Sequence, residues 1–143
     1  MEAAFYHATR ASADALVPRL AARALQAGHR VLVRCADRAR LEALDRALWT
    51  FEPASFLPHG LAGGAHDARQ PCLLAGDEAP PANGADLLIL LEPPLPSGGF
   101  ARVLLVFDEA TLAPARAAWK AWAGPATYWR QGAQGWEKAA AKP

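Results

Sequence analysis

The residues best equipped for chemistry in this sequence are cations set among indoles near its C-terminus. Four of the five tryptophans, Trp119, Trp122, Trp129 and Trp136, fall in the last 25 residues, interleaved with Arg116, Lys120, Arg130 and Lys138. From Ala110 onward the chain carries five basic residues against one acidic, so this quarter is locally positive. On a helix, Arg116 and Lys120 fall beside Trp119, and Trp119 and Trp122 are neighbours, so indole and cation share a surface. A guanidinium can grip a carboxylate through two parallel hydrogen bonds, and an indole offers rigid apolar area. Such a surface suits an acidic peptide with an apolar anchor, or a single nucleic-acid strand stacked on the rings. The competing reading is that the tryptophans complete the core.

A second candidate surface is purely apolar. The leucines at 41, 44 and 48 form one helical stripe, and Trp49 stands roughly 100° away from it. Trp49 is therefore expected at the flank of its helix, part-exposed, with Phe56 close by in a segment bounded by Pro53 and Pro58. An exposed aromatic pair of this kind marks a protein interface.

Other constellations lack the pattern that their chemistry needs. Gly60, Gly63 and Gly64 cluster in a loop, but no Lys-Ser or Lys-Thr follows as a phosphate loop requires, and the first strand-to-helix turn, Ala8-Thr9-Arg10-Ala11-Ser12, has no glycine at all. Asp37 occupies the place of a ribose-binding carboxylate, yet helix capping explains it better. His7, His29, His59 and His66 have no HxxxH spacing and no cysteine company, so a zinc site is not expected; His59 beside Pro58 merits the closest look. Asp108 and Glu109 are adjacent at a strand end, where capping is the ordinary use. No catalytic residue, cofactor-binding residue or metal ligand is nominated.

These side chains need a scaffold, and hydropathy supplies one. Residues 3–7, 30–35, 71–74, 86–91 and 103–107 read as near-continuous apolar strands. Ser12 caps a helix that Gly28 stops, Asp37 caps a second, and Thr111 opens a last helix ending by Gly124. Residues 50–59 leave room for one short strand at most, and residues 127–129 suggest an edge strand. Buried strands alternating with helices imply a three-layer α/β domain, Rossmann-like, with a mostly parallel sheet, helices on both faces and no nucleotide site. A chain of 143 residues suits one domain, residues 1–143.

The net charge of +1 argues against a general affinity for nucleic acid. No stretch reaches the ~18 apolar residues of a membrane span and no signal segment opens the chain, so a cytoplasmic protein is expected, with Cys35 and Cys72 as buried thiols.

Several blocks together resemble the chi subunit of bacterial DNA polymerase III. They are Phe5-Tyr6-His7, Gly28-His29-Arg30-Val31-Leu32-Val33-Arg34-Cys35, Leu44-Asp45-Arg46-Ala47-Leu48-Trp49-Thr50-Phe51 and Ser55-Phe56-Leu57-Pro58-His59. Ala115-Arg116-Ala117-Ala118-Trp119-Lys120-Ala121-Trp122 and Gly135-Trp136-Glu137-Lys138 complete the likeness. The resemblance implies a non-catalytic accessory subunit of the clamp-loader assembly, without cofactor and touching nucleic acid only indirectly, as a monomer or heterodimer. It implies that Trp49 and Phe56 meet the psi subunit or a substitute, and that Arg116, Trp119 and Lys120 meet the acidic C-terminal tail of single-stranded-DNA-binding protein. A direct single-stranded nucleic-acid binder, and a nucleotide-dependent enzyme on the same fold, are the alternative readings.

Overall fold

In the computed structural model, which describes residues 1–51 and 58–143, three helices pack on one eight-stranded sheet. In chain order the strands are β1 (Glu2–His7), β2 (Val31–Arg34), β3 (His59–Leu61), β4 (Cys72–Ala75), β5 (Leu87–Leu90), β6 (Arg102–Phe107), β7 (Ala126–Gly132) and β8 (Gly135–Lys142). The helices are α1 (Ala13–Gln26), α2 (Arg38–Thr50) and α3 (Leu112–Ala121). The spatial order is β3-β4-β2-β5-β6-β1-β7-β8, parallel throughout except for the β7–β8 hairpin.

The two-residue period of the strands divides the core into two layers. Ala4, Val31, Val33, Leu74, Ile89, Leu104 and Val106 face α1 and α2. Their neighbours Ala3, Phe5, Leu32, Leu73, Leu88, Val103 and Leu105 face the other side, where α3 packs through Ala115. The expected stripe of Leu41, Leu44 and Leu48 is fully buried, and each such leucine contributes about 2 kcal/mol. Both cysteines are buried in the first layer, and burial pushes the Cys72 thiol up to about 12.

The capping residues act as expected, and one of them does more. Ser12 accepts from Ala15 N at 3.2 Å, and Asp37 accepts from Ala39 N at 3.0 Å. Asp108, at the end of β6, caps across the chain: it accepts from Ala13 N at the start of α1 (2.9 Å) and from Ala110 N (3.1 Å). Donation from Ala13 N is the main cause that holds its carboxyl below the usual range. A lowered carboxyl stabilises the fold above the unfolded-state value of ~4 and ceases to do so as pH falls through the lower folded value. Asp108→Ala is accordingly expected to cost about 1–2 kcal/mol at neutral pH. The gap from wild type should narrow in urea titrations below about pH 4.

The C-terminal region departs from the sequence expectation. Residues 127–129 do not form an edge strand: β7 is interior, parallel to β1 on one side and antiparallel to β8 on the other. Nothing in Gly-Trp-Glu-Lys-Ala-Ala-Ala-Lys signals a strand, since alanine and lysine favour helix, yet pairing with β7 makes it the edge. That edge carries Lys138 and Lys142 and a register shift at Tyr128/Trp129, both of which discourage further strand addition. The helices do cover both faces, but α3 alone serves the second.

Candidate partner-binding surfaces

Trp49 sits at the C-terminal end of α2, which ends where the apolar stripe runs out. It is 57% exposed, the outlier among the large apolar side chains described. Its ring meets His59 edge-on at 4.7 Å, and His59, buried at the start of β3, has its Nε2 3.1 Å from Asp45 Oδ1 on α2. The histidine that merited a closer look thus braces the exposed indole. Phe56 lies outside the described residues.

The second surface is α3. Arg116 and Lys120, one turn apart, are exposed, and among the described residues neither makes an ion pair or hydrogen bond. Together with Leu112, Ala113 and Glu109 they line a hollow of about 500 Å³. Beside it runs a more apolar groove of about 470 Å³, walled by Pro93, Pro94 and Leu95 on one side and Pro114, Ala118 and Trp122 on the other. Ala117 borders both, so charge and apolar seat are contiguous.

Trp119 is turned away from its two basic neighbours. Its ring stands edge-on to Phe5 at 5.1 Å and to Tyr128 at 5.6 Å, against the second core layer. Lys142, from the end of β8, lies 4.7 Å from the indole centroid and donates to the carbonyls of Trp119 and Trp122. A cation is thereby placed at the C-terminus of α3, where the unsatisfied carbonyls need one. The C-terminal tryptophans do not form one patch. Trp119 and Trp122 belong to the α3 side, whereas Trp129 packs on the α1 side and Trp136 stands edge-on to Tyr6 at 5.1 Å. Trp122, the residue that ends α3, faces the groove; the run Pro93-Pro94-Leu95-Pro96 was the available signal for its opposite wall.

The remaining candidates are absorbed by structure. The amides of Gly63 and Gly64 donate to the Asp67 carboxylate at 2.8 and 3.0 Å, so this loop holds an anion of its own. His29 pairs with Asp86 at 2.7 Å. His7 lies 3.0 Å from Glu109 and 3.2 Å from the Tyr128 hydroxyl. His7, His29 and His59 thus have separate carboxylate neighbours, and no three His, Cys, Asp or Glu among the described residues converge on a metal position. Among the described residues no helix is long and apolar enough to cross a membrane.

Comparison with known proteins decides the family: a model described as DNA polymerase III chi subunit, HolC, matches residues 1–126. The chain belongs to the DNA polymerase III chi subunit family. It is similar to the subunit chi of Pseudomonas aeruginosa, 42% identical over 97 residues that make up 66% of each chain. The subunit chi of Escherichia coli K12 is 36% identical over 78 residues, 54% of this chain and 53% of the relative. That of Haemophilus influenzae is 30% identical over 105 residues, 71% and 73% respectively. The chain thus spans about two thirds of the first relative's length and about half of the second's. These relatives are named for the chi subunit, an accessory and not the catalytic subunit of the polymerase. The chi-family match takes in α2 with Trp49 and the whole of α3, and it ends at Ala126, where the β7–β8 hairpin begins.

Proposed function

We propose that this protein is a non-catalytic, cytoplasmic subunit of the DNA polymerase III clamp-loader assembly that bridges two partners across the thickness of its sheet. The observation that carries this reading is the separation of two unlike surfaces. Exposed Trp49 belongs to the α1/α2 side, while unpaired Arg116 and Lys120 beside an apolar groove belong to the α3 side. A molecule with a grip on each face can tie two proteins together without placing them in competition.

On the α3 side the partner is the acidic C-terminal tail of single-stranded-DNA-binding protein. Arg116 and Lys120 orient its carboxylates, and an apolar tip lies in the groove under Trp122. Trp119, which both the helical spacing and the family resemblance assign to this site, acts by seating the helix on the sheet. On the other side, Trp49 and Phe56 are covered by the psi subunit or a substitute for it. Buried aromatic anchors dominate such interfaces, so Trp49→Ala should weaken capture of clamp-loader subunits about 30-fold. Its melting temperature and its anisotropy titration with a labelled acidic tail peptide should match wild type. Undiminished capture by Trp49→Ala would overturn the assignment of that face.

One observation favours a second reading, direct binding of single-stranded nucleic acid. Arg10, Arg19 and Arg23 line a hollow of about 410 Å³ with Trp136, a cationic wall next to an aromatic ring. Titration with an oligonucleotide at ~0.15 M salt separates the two: the bridging subunit binds peptide more tightly, and the direct binder reverses that order.

A further inference from the structure

Strand β2 is bracketed by two arginines with opposite fates. Arg30, just before it, spends its guanidinium on the chain: Nε donates to Asn83 O at 2.7 Å, and Nη2 to Ala68 O and Gln70 O at 3.0 and 3.2 Å. Arg34, its last residue, is 9% exposed, and its Nε is removed from solvent without an acceptor. Among the described residues the Arg34 side chain makes no hydrogen bond and no ion pair; its neighbour is the Phe100 ring, 5.8 Å from Cζ. A guanidinium cannot shed its proton to escape burial, and among the described residues no carboxylate stands within ion-pair distance of this one, so it can take an anion from outside the chain.

The space for that anion is present. Arg34 opens onto a cavity of about 470 Å³ whose walls include Pro81, Leu95, Ser97, Gly98 and Phe100. It lies at the C-terminal end of β2, where the strand order reverses: β3 and β4 lie to one side of β2 and β5 to the other. This crevice is the position at which open parallel sheets take ligands. Helix α3 packs over β1 and β6, and Leu95 and Phe100 cover this part of the second face. No hydrogen bond among the described residues uses the amides of Ser97, Gly98 or Gly99, so the loop that borders the cavity retains unused donors.

We infer that this cavity binds a small monocarboxylate with an apolar body, its carboxylate on Arg34 and its body against Leu95, Phe100 and the prolines. The planar fork of arginine matches a carboxylate, and Leu95, Phe100 and the prolines supply an apolar stretch of wall beside it. The charge of the ligand is set by its surroundings. Glu78 lines the same cavity, and Glu92, held by Ala36 N at 2.7 Å, lines the adjoining one. With these two carboxylates bordering the space, a dianion or a polyphosphate is repelled more strongly than a single negative charge that meets Arg34.

Phenylacetate, acetate, inorganic phosphate and ATP serve as calorimetric probes of the full chain. Phenylacetate should bind saturably below about 10 mM, acetate at least tenfold more weakly for want of a ring, and phosphate and ATP without saturation. Arg34→Met, which fills the same space without a charge, should weaken phenylacetate binding at least about 30-fold. Gly98→Glu introduces a competing carboxylate at a position where an added Cβ meets nothing within 4 Å, so it should abolish binding while the melting temperature holds. Phenylacetate binding that is unaltered in both variants, or absent from wild type, overturns the site. Tighter binding of phosphate or ATP than of phenylacetate overturns the class of ligand.

Discussion

Trp119→Ala is expected to lower the unfolding free energy by about 3–4 kcal/mol, within the range for removing a packed aromatic. At this chain length that corresponds to a fall of roughly 10 °C in Tm. The indole is the wedge between α3 and the sheet: it contacts Phe5 and Tyr128, and Lys142 covers its outer face. Removing it leaves a void beside two rings and deprives the Lys142 ammonium of its π partner. Urea denaturation at constant m-value measures the loss, and Trp119→Phe should recover about half of it because a smaller ring still reaches the same neighbours. Tail-peptide binding is expected to weaken in Trp119→Ala through displacement of α3 and to return with Trp119→Phe. A ring that gripped the peptide directly would give the converse result, weakened binding with the melting temperature nearly intact.

Arg116→Glu is expected to raise the Kd for an acidic, apolar-tipped peptide more than about tenfold, equivalent to ~1.5 kcal/mol. The substitution deletes a charge-assisted hydrogen bond and sets a like charge against the peptide. Stability should stay within about 0.5 kcal/mol of wild type, since Arg116 is exposed and unpaired among the described residues. Lys120→Glu should act in the same direction and less strongly, because an ammonium lacks the paired geometry of the guanidinium. Both sites are open to solvent, so affinity falls with added salt, but with a shallower slope than for a protein tracking a phosphate backbone. Fluorescence anisotropy at two salt concentrations checks all three statements. Equal affinity of wild type and Arg116→Glu would remove α3 from the interface.

Features that depend on nearest neighbours along the chain were legible in the sequence. The apolar runs become β1, β2, β4, β5 and β6, because a strand buried on both faces needs apolar residues at every position. Ser12, Asp37 and Asp108 announce caps because their short side chains reach backbone amides two or three residues on. Trp49 is displaced from its leucine stripe by helical geometry alone, and its exposure follows. The chi-family resemblance, carried by short motifs, agrees with a match over residues 1–126.

What depends on distant neighbours was decided only by the tertiary structure. The alanines and lysines of β8 favour helix, and they lie extended because β7 offers an unpaired edge. Trp119 reads as part of a basic surface when α3 is considered alone; which side of a helix faces inward is set by where Phe5 and Tyr128 stand on β1 and β7. The groove under Trp122 requires Pro93 and Pro94, some thirty residues earlier, to be brought opposite the end of α3. The isolation of Arg34 could not be read from β2 itself, where it stands like Arg30 beside apolar residues. Whether a guanidinium finds acceptors depends on which loops arrive at each end of the strand: carbonyls of Ala68, Gln70 and Asn83 reach Arg30, while an apolar ring and an open cavity meet Arg34.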